Sequence, residues 1–158
     1  MADIDRCTGG TASADSFNDI SQIADKAFDA DNATFWASTL TNYPHWIKYD
    51  FGAGITWAIN KVTIKASTDY DEYAPNAFTI QGSNNDTNWD TLYTASGLSN
   101  WTPQETRTFA FGNSVAYRYI RTYATDCEAG TVNKYCLINK IEMIVEPKGG
   151  ASFLLNFL

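Results

Sequence analysis

The sequence is poor in the residues that mark most catalytic chemistries. It has one histidine, three cysteines, two methionines and four prolines in 158 residues, and charged side chains make up only 18%. No C-x-x-C pair occurs, which excludes a thiolate metal site of ordinary spacing. No apolar run approaches the ~18 residues of a membrane-spanning helix. The longest, Ile141 to Val145, is interrupted by Glu142. Basic residues are also few, 11 against 18 acids, for a formal net charge of −7. A surface of that sign repels phosphate backbones, so nucleic acid is excluded as a partner. A hydrophobic content of 44% excludes a disordered tail. Area scaling puts roughly 69% of the unfolded surface inside a chain of this size, enough for one domain with a real core.

What is abundant is aromatic: five Trp, nine Tyr and nine Phe, 15% of the chain. With many Thr and Asn beside them, they point to β-structure joined by polar loops. Most such aromatics are core, since burying one stabilises by roughly 1.5–3 kcal/mol. One short helix is predicted from Ile20, Ile23, Ala24, Ala27 and Phe28, which follow helical spacing behind Asp19 and Gln22, a capping-box-like start. Strands are predicted over His45 to Phe51, Lys61 to Ser67, Phe78 to Gln81, Trp89 to Thr94, Thr106 to Phe111, Tyr117 to Tyr123 and Leu137 to Glu146. Gly82-Ser83-Asn84-Asn85-Asp86 is a turn-rich stop. Seven or eight short strands without β-α-β alternation predict an antiparallel sandwich. The expected organisation is an N-terminal segment, 1–14, a sandwich, 15–146, and a linker with an apolar C-terminal strand, 147–158.

Cys7, Cys127 and Cys136 cannot all pair within one chain. Cys127 and Cys136 bracket a Gly-containing loop, where either a disulfide or two reduced thiols fit the sequence. The opening Met1-Ala2-Asp3-Ile4-Asp5 is acidic and polar, unlike a secretory signal. The expected location is therefore extracellular or a virion surface, reached as an excised module or by another route of exit. The sequons at Asn32, Asn85 and Asn100 are read as chance.

Several segments, taken in order, carry a family resemblance. They are Ala27 to Trp36, Trp46 to Gly52, Ala74 to Asn84, Trp89, Tyr117 to Arg121, and Ile141-Glu142. The chain resembles the F5/8 type C, or discoidin-like, domain, which overlaps with galactose-binding-like carbohydrate-binding modules. The resemblance implies an all-β, eight-stranded antiparallel jelly-roll sandwich. It also implies structural Ca²⁺ on the Asp29 to Thr34 loop, whose hard oxygen donors suit that ion. The implied ligands are the Lys26 carbonyl, the Asp29 carboxylate, the Asp31 carbonyl, Thr34 through carbonyl and hydroxyl, and Glu142. Asp50 and Arg121 are implied as an acid–arginine pair within the sandwich, and Trp36, Trp46 and Trp89 as packing residues.

The family's binding face consists of loops at one end, here Thr39 to His45, Thr68 to Asn76 and Ala124 to Tyr135, with Ser96 to Trp101 beside them. Tyr43, His45, Asp69, Tyr70 and Tyr73 are the candidate ligand-binding residues. The arginine that sugar-binding members carry on the second loop is missing; Asp69, Tyr70, Asp71 and Tyr73 stand there instead. Carboxylates hold sugar hydroxyls and tyrosine rings stack on their CH faces. The sequence has no G-x-S-x-G, no H-E-x-x-H and no phosphate-cradling loop, so a non-enzyme is expected. Two functions follow. The first is a calcium-stabilised carbohydrate-binding or adhesion module that recognises a glycan or glycoprotein surface. The second is a structural part of a viral assembly, such as a tail fibre or capsid decoration, or of an extracellular one. In that second reading the apolar Phe153 to Leu158 segment drives homo-oligomerisation.

Overall fold

The structure, a computed structural model, describes residues 3–127 and 134–146. Eleven strands occur among them. They are β1 (Ile4–Asp5), β2 (Thr11–Ala14), β3 (Trp36–Ala37), β4 (His45–Asp50), β5 (Lys61–Lys65), β6 (Pro75–Ser83), β7 (Asp90–Ala95), β8 (Thr106–Ala110), β9 (Tyr119–Cys127), β10 (Leu137–Ile138) and β11 (Lys140–Val145). Every pairing is antiparallel. One sheet runs β1-β11-β5-β8 and the other β2-β4-β9-β6-β7, with β3 and β10 forming a small ribbon beside them. This is the antiparallel sandwich the alternating pattern predicts.

Alternation explains the packing strand by strand. In β4, His45, Ile47 and Tyr49 are buried while Trp46, Lys48 and Asp50 are half-exposed. In β9, Ile120, Thr122 and Ala124 point inward in the same way. The core between the sheets is built from Trp36, Ile47, Ile64, Phe78, Ile80, Ile120, Ile141 and Met143. Phe78 on β6 meets Phe109 on β8 edge to face, centroids 5.0 Å apart, which ties one sheet to the other. Each such side chain contributes about 1.5–3 kcal/mol by leaving water.

Several expectations are corrected. The sheets begin before residue 15: β1 pairs with β11 and β2 with β4, so part of the 1–14 segment is sandwich. The helical stretch near residues 20–28 is two 3-10 turns, Ile20–Gln22 and Ala24–Ala27, broken by extended backbone at Ile23. Ile20 is 74% exposed, so the apolar stripe lacks the burial that would hold a continuous helix. Asp50 pairs with Arg118 rather than Arg121, two bonds of 2.8 Å at the surface. Arg121 lies between the rings of Trp89 and Tyr123, at 4.0 and 4.8 Å, and donates to Gln81. Trp46 and Trp89 are half-buried and Trp46 lies on the outer side of its sheet, because the two-residue period sets it opposite Ile47. Trp36 is core, as expected. The linker and apolar segment at 147–158 lie outside the described residues, and no helix among those described is long and apolar enough to cross a membrane.

Candidate functional site

One end of the sandwich carries a cleft of about 230 Å³. Its floor is Ala37 and Leu137, paired across the β3–β10 ribbon. Phe35 and Tyr70 meet on one side with centroids 5.9 Å apart, and Tyr73 meets Tyr135 edge to face at 5.8 Å. Asn18 and Gln22 supply the polar lining, held together by an Asn18 Nδ2 bond to Gln22 Oε1 of 3.0 Å. Tyr70 is 46% exposed, so an aromatic face is open to solvent. Tyr70 and Tyr73 flank and end a 3-10 turn, Asp71–Tyr73, whose loop also carries Asp69 and Glu72, both exposed.

Two of the sequence candidates belong to the support of this cleft and not to its lining. His45 is fully buried. Its Nδ1 lies 2.8 Å from Asp15 Oδ2 and its Nε2 lies 2.8 Å from the Lys134 carbonyl. Both partners are acceptors, so both ring nitrogens act as donors and the imidazole is protonated. Burial by itself lowers the His45 pKa. The Asp15 carboxylate and the Lys134 carbonyl outweigh it, and the net shift is upward. Burial likewise raises Asp15, but the bonds from His45, the Trp46 N–H and Ser16 bring it below its usual value. With both nitrogens engaged, His45 has nothing left for a sugar. Tyr43 is half-buried; its hydroxyl accepts from the Cys127 N–H at 3.2 Å and donates to the Tyr135 carbonyl at 3.5 Å. These two residues are corrected from ligand contacts to struts that hold the chain on either side of residues 128–133. Asp69 is exposed beside Tyr70, outside the cleft lining.

Phe35, Tyr135, Asn18 and Gln22 were not singled out from the sequence. Phe35 immediately precedes β3, which is too short to show a period. Trp101, on the fourth candidate loop, is buried and donates to the Pro75 carbonyl, which makes it packing.

The Asp29 to Thr34 loop gathers four of the expected calcium positions. The Thr34 hydroxyl lies 2.8 and 2.9 Å from the two Asp29 carboxylate oxygens, 3.1 Å from the Asp31 carbonyl and 3.4 Å from the Lys26 carbonyl. A hydroxyl has one proton to share among these acceptors; the Asp29 carboxylate also accepts the Asp31 N–H at 3.1 Å and lies 3.6 Å from the Lys26 ammonium. That donor set fits a hard cation. Two of the other expected ligands have partners within the protein. The Thr34 carbonyl accepts from Asn139 Nδ2 at 2.6 Å. Glu142 forms an ion pair with Lys140 at 2.9 Å and accepts a bond from the Thr63 hydroxyl. Burial alone raises the Glu142 pKa, but those two partners outweigh it and hold it down. Among the described residues no three His, Cys, Asp or Glu side chains converge on a metal position; the cluster is one carboxylate among neutral oxygens.

The F5/8 type C domain family matches residues 10–141. The chain belongs to that family. Comparison with curated protein sequences returns no match. Among solved structures, chitosan-binding module 1 of a chitosanase/glucanase from Paenibacillus sp. IK-5 is 25% identical, with a TM-score of 0.71 over 90% of this chain and 99% of that one. Chitosan-binding module 2 of that enzyme, solved with chitotriose, is also 25% identical, with a TM-score of 0.65 over 87% and 97%. The Clostridium perfringens module CpGH89CBM32-5, solved with GalNAc-β-1,3-galactose, shares the fold at a TM-score of 0.75 and 15% identity, over 91% and 100%. The F5/8 type C framework thus accounts for the sandwich and for loops gathered at one end.

Proposed function

We propose that this domain is a non-catalytic glycan-binding module whose ligand sits in the aromatic cleft. The observation that carries this reading is the convergence of Phe35, Tyr70, Tyr73 and Tyr135 with the Asn18 and Gln22 amides. Aromatic rings pack on the CH faces of a pyranose, and side-chain amides both donate to and accept from its hydroxyls. The cleft is smaller than the ~300 Å³ at which enclosed small-molecule sites begin, so it takes one sugar ring of a chain and leaves the rest in solvent. Asp69, Asp71 and Glu72 on the same loop, in a chain of net charge −7, favour a cationic amino sugar over an acidic one. Chitosan-type oligomers are that class. The non-catalytic part of the reading is supported by His45: the single histidine is buried with both nitrogens bonded, which leaves it no proton to exchange with a substrate.

Calcium is proposed as the stabiliser of the loop between residues 26 and 34. The Lys26 and Asp31 carbonyls, the Asp29 carboxylate and the Thr34 hydroxyl would hold it.

The test is calorimetric titration with chitotriose, with galactose and a mannuronate oligomer as competitors. Binding of chitotriose that weakens with added salt supports the cationic-sugar reading. Preference for the mannuronate oligomer overturns it, and no binding to any glycan in a broad array overturns the glycan reading itself.

A further inference from the structure

Two of the three cysteines lie on chain segments that the Tyr43 hydroxyl brings together. Cys127 ends β9 and Cys136 immediately precedes β10, and both side chains are fully buried. Both are free thiols in this structure. The Tyr43 hydroxyl holds the Cys127 N–H and the Tyr135 carbonyl. Cys136 is fixed from the other side: its N–H donates to the Ser38 hydroxyl and its carbonyl accepts the Ser38 N–H, each at 2.9 Å. Tyr135, a wall of the cleft, is the residue directly before Cys136. Cys7 lies between β1 and β2, on a separate part of the sandwich.

We propose that Cys127 and Cys136 form a reversible disulfide that fixes the Tyr135 wall of the cleft. The oxidant is a low-molecular-weight disulfide such as oxidised glutathione. One cysteine thiolate attacks it, forming a mixed disulfide and releasing one glutathione thiolate. The second cysteine then displaces the other glutathione, so two thiols give up two protons and two electrons and two reduced glutathiones leave. Burial pushes the Cys136 thiol upward, toward its unreactive protonated form. The exchange therefore proceeds during folding, before the thiols are buried, and the bond once made is sheltered. The bond closes a short loop of eight intervening residues. The loop-closure relation and the usual size scaling together translate to a melting temperature higher by roughly 5–10 °C.

The consequence for the cleft rests on the glycan reading above; the bond does not. Refolding the full chain in a mixture of oxidised and reduced glutathione, followed by denaturation and alkylation, counts the thiols. The expected result is one alkylated cysteine, Cys7, a peptide linking Cys127 to Cys136, and a raised melting temperature that dithiothreitol reverses. Three alkylated cysteines after refolding in excess oxidised glutathione, or a pair that includes Cys7, overturn the proposal. Chitotriose affinity is then compared between the two forms. Sparing the ordering of one wall side chain on binding corresponds to about two- to tenfold tighter binding when oxidised. Equal affinities with the bond formed overturn the link to the cleft. Absence of binding in both forms overturns the glycan reading and leaves the thiol count to decide the bond.

Discussion

Replacing His45 with alanine removes the one side chain that ties Asp15, at the end of β2, to Lys134. Two bonds of 2.8 Å are lost, one to a carboxylate and one to a carbonyl, both from a protonated ring. Charge-assisted bonds contribute about 1.5–3 kcal/mol each. Asp15 keeps the Trp46 N–H and the Ser16 hydroxyl, and its side chain is 21% exposed, so hydration eases its loss. The lower end is therefore appropriate, about 3 kcal/mol in all, or roughly 6–12 °C in melting temperature for a domain of this size. The pH dependence follows from the direction of the shifts. His45 titrates above its ordinary 6.5, so its contribution is complete below that pH and fades as pH rises through the folded value. Asp15 titrates below its ordinary 3.8, so its contribution is present above that and fades as pH falls. Wild-type stability attributable to this pair is thus greatest between the two ordinary values, and the His45→Ala protein loses the alkaline limb. Urea unfolding at a series of pH values from 4 to 9 measures both. A variant melting within a degree of wild type, or a wild type whose pair-dependent stability rises between pH 6.5 and 9, would refute the assignment of a protonated, doubly bonded ring.

Two further outcomes are expected. Saturating Ca²⁺, at a hundredfold excess over its dissociation constant, stabilises by about 2.7 kcal/mol, or roughly 5–10 °C, and EGTA removes the gain. Asp29→Ala abolishes the response in a melting assay, and an identical response in that variant rejects the loop as the site. Gly82→Ala places a methyl carbon 2.5 Å from the Tyr117 ring, whose hydroxyl holds Asp90 at 2.9 Å. Overpacking of this kind costs about 1–3 kcal/mol, measurable by denaturant midpoint, and shortening Tyr117 to leucine in the same protein recovers part of it.

Much of the sandwich was legible because its longer strands obey a two-residue period. Ile47, Tyr49 and Phe51 are all buried where alternation puts them. The same parity carries the answer for His45, two residues before Ile47: a loop reading set beside an alternating strand gave way to the strand. β1 and β3 were invisible for the opposite reason, since two residues show no period at all, and β10 was read as one strand with β11. The Ile20 to Phe28 spacing satisfied a helical template without the buried face that makes a helix stable, and 3-10 turns resulted. The cleft was half legible. Tyr70 and Tyr73 stand out as aromatics on a polar loop, whereas Asn18, Gln22, Phe35 and Tyr135 come from segments far apart in sequence that only the β3–β10 ribbon brings together. The partners of Glu142 follow from strand register, which the sequence does not show: Thr63 stands opposite it and Lys140 two residues before it on the same face.

The central claim is that the aromatic cleft binds sugar, and titration of chitotriose into wild type and Tyr70→Ala tests it most directly. Tyr70 is 46% exposed, so its truncation leaves the core untouched. Binding should fall by about tenfold or more, the value of one lost aromatic platform at 1.4 kcal/mol per decade, while the melting temperature stays within a degree or two. Wild-type affinity in the Tyr70→Ala protein would contradict the placement of the ligand in this cleft.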